Sequence, residues 1–275
     1  MNMKSQSIKG IVEQNPILLW LKHKTLRLTH FIDFWLRQDE NEKLMALSDN
    51  NPFADCPDWH ELEKVPDAGK IRNGFLVMHQ GVKVLPTAYE GYAHGKQMQR
   101  ALGIHEPQEE RVFRDVIHQL SPGPSMIELG AYWAYYSLWF QKVIPNATSI
   151  LVEPKLTHLN YAKRHFKINK FDAQFLLAGV SDQSSNSDEM RLVTVDELLE
   201  TFSLPKVTIL HSDIQGFELQ MLNGAKNSIT NRLIDFFFIS THSDDLHDSC
   251  LKFLRDSGYL ILDDFRISGY QRKAE

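Results

Sequence analysis

Met126-Ile127-Glu128-Leu129-Gly130-Ala131-Tyr132-Trp133-Ala134-Tyr135-Tyr136-Ser137 is the stretch on which the fold turns. Its first four residues form an apolar run broken only by one acid, too short for a helix and bounded by a glycine. Gly130 can take a positive φ and turn the chain sharply, and the aromatic residues after it enter a helix. A second run, Ile150-Leu151-Val152-Glu153-Pro154, repeats the design: buried strand, acid at the tip, then a breaker.

Outward from these two runs the alternation continues. Helices are predicted over 109–120, 135–143, 155–169, 195–202, 217–228 and 244–257, and strands over 126–129, 149–152, 174–180, 206–211, 234–240 and 259–262. Strands alternating with helices imply βαβ units and a mostly parallel sheet covered on both faces, an α/β fold of Rossmann-like type. Right-handed crossovers set the helices on the two sides. Such sheets bind ligands beyond the carboxyl ends of their strands, where the strand order reverses. The tips at 128–131, 153–154, 180–182, 211–215 and 240–243 are therefore expected to converge.

Upstream, apolar residues between 11 and 47 recur near helical spacing with Lys22, Lys24, Arg27 and Arg37 among them, predicting a helix packed on the body of the protein. Residues 48–69 carry repeated Pro, Asn, Asp and Gly turn signals and read as a linker. A short strand pair is expected at 74–78 and 82–85, with a helix near 95–102. The chain thus divides into a mainly helical accessory region, 1–105, and an α/β domain, 106–275. The accessory region is expected to cover the site and recognise the acceptor.

Composition bounds the function. With 43% hydrophobic and 24% charged residues in 275, the chain is neither disordered nor of low complexity. A net charge of -5 argues against duplex nucleic acid as a partner, since phosphate binding needs a basic footprint. Cys56 and Cys250 lie far apart with no CxxC pair, so neither a disulfide framework nor a cysteine zinc site is expected. The longest apolar runs, Ile17-Leu18-Leu19-Trp20-Leu21 and Phe236-Phe237-Phe238-Ile239, fall far short of the roughly 20 residues a membrane span needs. A cytoplasmic protein is expected, and a homo-oligomer is compatible with the sequence.

The chemistry follows from the tips. Glu153 falls roughly 20 residues beyond Gly130, the placement of an acid that accepts hydrogen bonds from a ribose diol. A nicotinamide dinucleotide would want G-x-G-x-x-G to seat its pyrophosphate at a helix N-terminus, and this loop offers one glycine followed by bulky aromatics. An NAD-dependent oxidoreductase is accordingly a disfavoured alternative. A ligand without phosphate, such as S-adenosyl-L-methionine, does not need the missing glycines. Tyr132 can stack on the sulfonium of such a ligand, while Trp133 and Tyr136 read as core. Asp213, His211 and His242 at strand tips, and Glu218 at a helix start, are candidate bases. The run from His242 to Asp248 resembles metal-ligand chemistry, but Ser243 is a natural N-cap and Asp244 and Asp245 suit a first helical turn, so no metal is expected.

Over about residues 105–262 the sequence resembles the FkbM family of S-adenosylmethionine-dependent methyltransferases. The resemblance is carried by Glu128-Leu129-Gly130-Ala131 with Ser137, by Val152-Glu153-Pro154 and by Ala178-Gly179-Val180-Ser181-Asp182. Its most specific part is Asp213-Ile214-Gln215-Gly216-Phe217-Glu218, matching D-x-Q-G-x-E, followed by Leu222-Asn223-Gly224-Ala225, matching L-x-G-A. His105-Glu106-Pro107 resembles the segment that precedes the fold in relatives. The resemblance implies a class I methyltransferase fold and methyl transfer to a hydroxyl of a sugar, glycan or natural-product small molecule. It implies that Glu128, Gly130 and Ala131 line the methionine part of the cofactor; Tyr132 and Ser137 on the same loop and helix are taken as cofactor-binding residues with them. Glu153 and Pro154 would hold the ribose, Ser181 and Asp182 would sit beside the adenine, and Asp213 would face the sulfonium. Relatives read G-A-N-x-G in the first loop; here Tyr132 and Ala134 stand for the Asn and the second Gly. Either Ala134 adopts a left-handed backbone, at a cost of order 1 kcal/mol, or the loop is reshaped. These departures motivate a further alternative, a non-catalytic binding module that keeps the fold.

Overall fold

A computed structural model describes residues 51–187 and 190–266. The helix predicted over 11–47 lies outside the described residues. At the centre stands a five-stranded sheet of order β11-β10-β4-β5-β6, parallel throughout. Its strands are β4 (Ser125–Leu129), β5 (Thr148–Glu153), β6 (Gln174–Leu177), β10 (Val207–Ser212) and β11 (Ile234–Ile239). Helices α3 (Pro107–Ile117), α4 (Tyr135–Val143), α5 (Leu156–Asn169), α6 (Val195–Thr201), α7 (Glu218–Asn223), α8 (Lys226–Thr230) and α9 (Asp244–Asp256) accompany it.

Both faces of the sheet are apolar, which is why its strands read as near-continuous hydrophobic runs. Met126, Leu151, Ile209 and Phe238 belong to one cluster with Phe113, Trp139 and Phe166. Ile127, Leu129, Ile150, Val152 and Leu210 belong to the other, with Leu198, Met221, Leu222 and Leu254. The chain runs β4 to β5 to β6 in one direction, then returns to lay β10 and β11 on the other side of β4. Strand order reverses between β4 and β10, and the expected crevice lies there.

The described part of the upstream region holds α1 (Pro57–Glu61), a three-stranded antiparallel sheet of β1 (Ile71–Arg72), β2 (Phe75–Val77) and β3 (Lys83–Val84), and α2 (Tyr92–Arg100). Its Leu76, Met78, Val84 and Met98 share one apolar cluster with Phe113 and Trp139 of the α/β part. Polar ties reinforce the join. Arg111 Nε donates to buried Asp58 at 2.5 Å, and its Nη2 reaches Asp263 at 3.2 Å. Fully buried His165 on α5 accepts from Leu85 N–H at 2.9 Å and lies 2.8 Å from the Trp133 carbonyl, fixing its proton on Nδ1.

Three elements differ from the sequence reading. The strand expected over 174–180 is two strands, because after Leu177 the chain leaves the main sheet. β7 (Gly179–Val180) pairs with β9 (Arg191–Val193) in a small second sheet that includes β8 (Ser185–Asn186). The helix expected over 217–228 is split into α7 and α8 around Gly224, whose bare Cα lies against the Ser181 carbonyl; a Cβ there would overlap it. The strand expected over 259–262 does not form. Tyr259 bonds by its hydroxyl to the Ile234 carbonyl at 2.8 Å instead of joining a ladder, and Leu260 is 82% exposed. Among the described residues no helix is long and apolar enough to cross a membrane.

Candidate functional site

The strand tips converge through backbone bonds. Gly130 and Ala131 both donate to the Val152 carbonyl, at 2.9 and 3.1 Å, tying the β4 tip to β5. Asp213 N–H donates to Leu129 O at 3.1 Å and Ser240 N–H to Ser212 O at 2.9 Å, tying β4, β10 and the end of β11 together. Ala178 N–H reaches Glu153 O at 3.3 Å. At the reversal point Gly130 has φ 71°, and a Cβ on it would overlap the Asp213 carbonyl oxygen. Only glycine lets the two tips meet.

The loop after Gly130 resolves the alternatives left by the sequence. Ala134 has φ 65° and ψ 37°, and Tyr132 has φ 38°, so both positions are left-handed. The loop therefore keeps the shape that Asn and Gly favour, on residues for which each such position costs roughly 1–2 kcal/mol. The result seats the start of α4: buried Glu128 accepts Ser137 N–H at 3.1 Å. Burial holds the Glu128 carboxyl above the usual range, against the pull of His211.

Glu153 ends β5 with its side chain almost wholly enclosed; the residue is 3% exposed. Oε2 accepts Tyr132 N–H at 3.0 Å and Oε1 accepts Lys155 N–H at 2.9 Å, while His158 Nδ1 stands 3.3 Å from Oε1. The Tyr132 ring stacks on the His158 ring at 3.8 Å and 15°. Half-buried Pro154 follows, starting the turn into α5. Ser181 and Asp182 follow β7, Ser181 Oγ donating to Asp182 Oδ1 at 3.1 Å. The Ser181 backbone is backed by Gly224, so the glycine of L-x-G-A serves packing at this tip.

The four candidate bases fall into two groups. His242, just past β11, lies between two carboxylates: Nε2 is 3.2 Å from Asp213 Oδ1 and Nδ1 is 3.1 Å from Glu218 Oε1. Only a ring with a proton on each nitrogen can donate to both. Glu218 is wholly buried and also accepts Gly216 N–H at 3.2 Å, whereas Asp213 and His242 remain partly open to solvent. Left-handed Gln215 and Gly216 shape this turn, and Gln215 Nε2 donates to Asp213 Oδ1 at 2.9 Å.

His211 belongs elsewhere. Opposite Glu128 and Phe238 in the sheet register, it is buried, with Nε2 2.6 Å from Glu109 Oε1; Ser240 Oγ donates to Glu109 Oε2 at 2.9 Å. Burial pushes the His211 pKa down, but Glu109 outweighs it and the net shift is upward. Glu109 moves the opposite way: burial raises it and His211 pulls it lower still. This pair is charged, with its reactive nitrogen committed.

Sequence reasoning missed Glu106, Glu109, Tyr89 and His158. Tyr136 hydroxyl donates to Glu106 at 3.1 Å, and burial raises Glu106, with Glu109 and Asp213 adding repulsion. Burial raises the Tyr89 hydroxyl, with Glu106, Glu90 and Asp213 adding repulsion, and its ring packs on those of His105, Tyr132 and Trp133. A signal existed for α3: Pro107 at its first turn and Glu110 bonded back to His105 and Glu106 N–H at 2.6 and 2.7 Å. Ser243 caps α9 as expected, its Oγ accepting Leu246 N–H at 3.2 Å. His247 instead pairs with Asp264 at 2.7 Å.

Residues 140–261 match the methyltransferase FkbM domain. The resemblance read from the sequence is thereby borne out from within α4 to just past α9, and the matched stretch contains Glu153, Ser181, His211, Asp213, Glu218 and His242. The Gly130 loop lies just upstream of the matched stretch. Among solved structures, the N-terminal domain of human METTL16 is 14% identical, with 77% of this chain and 89% of that one covered and a TM-score of 0.44. A precorrin-6y methyltransferase from Geobacter metallireducens is 14% identical over 57% of this chain and 74% of its own, TM-score 0.41. TrmK of M. capricolum, in complex with S-adenosylhomocysteine, is 12% identical over 51% of this chain and 56% of its own, TM-score 0.36. No curated protein matches.

Proposed function

We propose that the protein is an S-adenosylmethionine-dependent methyltransferase that methylates an oxygen on a sugar, glycan or natural-product small molecule. The observation that carries the reading is the row Asp213–His242–Glu218 beside the Gly130 tip, inside the FkbM domain. The donor set fits the cofactor. A buried carboxylate at the β5 tip suits a ribose diol, and Asp213 against Gly130, with Tyr89 and Tyr132 in contact nearby, suits a sulfonium cation. When bound, that cofactor supplies an activated methyl group with its own leaving group.

The chain's residues then have two tasks. The first is alignment, with Gly130, Ala131 and Tyr132 beside the methionine part, Glu153 on the ribose, and Ser181 and Asp182 beside the adenine. The second is removal of the acceptor proton. Asp213 is the base best suited to this, being partly open to solvent and held by His242, which buried Glu218 orients. His211 is poorly suited, since its Nε2 is committed to Glu109 and its pKa is raised. Upstream residues near Tyr89 and Glu106 support an acceptor-facing role for that region.

The test is transfer of a labelled methyl from S-adenosylmethionine to a panel of hydroxylated sugars and small molecules. Labelled O-methyl product from the wild type and none from Asp213→Asn supports the reading. Product labelled at nitrogen or carbon contradicts the oxygen assignment. A non-catalytic module is the second reading, motivated by Tyr132 and Ala134 at left-handed positions of the loop; cofactor binding with no transfer to the hydroxylated panel would support it.

A further inference from the structure

Three donors already crowd Glu153. Two are backbone N–H groups, from Tyr132 and Lys155, which a ligand cannot displace without refolding the loop. The third is the His158 side chain at 3.3 Å from Oε1, on the first turn of α5, whose displacement needs no change of backbone. His158 is held there by the flat stack with Tyr132, and Tyr132 is braced in turn: its hydroxyl accepts Glu90 N–H at 3.1 Å and Tyr89 packs on its ring at 5.5 Å. Tyr132 stands where relatives have the much smaller Asn, so the stack belongs to this chain's own departure from the pattern.

We infer that His158, clamped by Tyr132, is a specificity-determining residue of the adenosyl site, competing with the ribose diol for the carboxylate of Glu153. This rests on the methyltransferase reading above. A ligand takes the place only by supplying hydroxyl donors at least as good as the imidazole, which favours an intact ribose diol over ligands lacking it. The competition depends on pH. The charged or titratable groups facing the His158 ring are Glu153 from β5, Lys155 from the turn before α5 and Tyr132 from the loop. Burial lowers the His158 pKa, more than Glu153 raises it, so the ring becomes charged only in acid. Once charged it is drawn harder to Glu153, and ligand binding weakens.

The experiment is calorimetric titration of the full chain with S-adenosylhomocysteine at about pH 8 and about pH 5.5, on either side of the usual imidazole range. The wild type is expected to lose about fivefold in affinity at the lower pH, the scale of one partly exposed ion pair. His158→Ala is expected to bind more tightly at the lower pH and to lose most of the pH dependence; His158→Asn, which cannot titrate, checks the same point should the alanine variant melt early. Tyr132→Ala, which keeps the backbone N–H, should shift affinity in the same direction. Equal or weaker binding by both His158 variants, with the pH dependence intact, overturns the competition and leaves the methyltransferase reading standing. No binding by any of the proteins overturns the adenosyl reading, and the competition with it.

Discussion

The Cα of Gly130 lies against the carbonyl oxygen of Asp213, so that the tips of β4 and β10 touch at the point where strand order reverses. The cofactor loop and the proposed base are thus positioned by one backbone contact. Gly130→Ala should combine a left-handed penalty with an overlap against backbone that cannot yield, costing about 3 kcal/mol of stability. Urea unfolding of wild type and variant measures it; an unchanged midpoint would mean the tips are not in contact.

Ala134 presents a balance of three effects. Replacing it by glycine relieves roughly 1–2 kcal/mol of left-handed strain. The change also frees the unfolded chain, at about 0.4–1 kcal/mol, and exposes about 0.8 kcal/mol worth of buried methyl. Ala134→Gly is therefore expected to change stability by less than about 1 kcal/mol, which explains how alanine is tolerated. Ala134→Val, β-branched at φ 65° in a site with no exposure, should cost well over about 2 kcal/mol. Thermal melts of the two variants should diverge accordingly; similar melting points would contradict the left-handed assignment.

His165 links acid stability to the join between the two parts of the chain. Burial moves its pKa from the usual 6.5 to about 4. The unfolded chain then binds the proton more readily than the folded one, so this contribution is complete above pH 6.5 and declines as pH falls toward about 4. Its size is about 3 kcal/mol. The stability gap between wild type and His165→Gln should shrink by that amount across the window in urea titrations. A constant gap would show that the imidazole titrates normally.

The paired carboxylates around His242 predict separable kinetics. Asp213→Asn should lower kcat by about 10²–10⁴, the usual worth of a positioned base, with affinity for S-adenosylhomocysteine little changed. Glu218→Gln should give a smaller loss, because it removes only the group that orients the ring. Steady-state rates with binding measured in parallel decide this; a larger loss from Glu218→Gln than from Asp213→Asn would reverse the assigned roles.

Much of the fold was legible because the sheet is buried on both faces, so runs such as Ile150-Leu151-Val152 stand out in the sequence. What misled was apolar patterning without a backbone partner. Tyr259-Leu260-Ile261-Leu262 is a continuous apolar run that reads as a strand, yet Tyr259 satisfies an edge carbonyl with its side chain and the ladder never forms. Gly224 marks one of the two other breaks, where bare backbone is needed for a close approach to the Ser181 carbonyl; the other falls between Leu177 and Gly179. At the site, Asp213, Glu218 and His242 could be named from their places at tips and caps. Glu109 and Tyr89 could not, because they reach the strand tips and the loop after β4 only through the packing of α3 and the upstream segment. His158 was hidden for a related reason: one turn of helix brings it back over Glu153, a contact no motif spacing records.

The central claim is that the loop after β4 and the carboxylate of Glu153 hold two ends of one adenosyl ligand. A crystal structure with S-adenosylhomocysteine tests it most directly. The account predicts the ribose hydroxyls at hydrogen-bond distance, about 2.7 Å, from Glu153, the His158 ring displaced, and the sulfur turned toward Asp213. Ligand density away from Glu153, or bound with the Tyr132–His158 stack unmoved over the carboxylate, would contradict it.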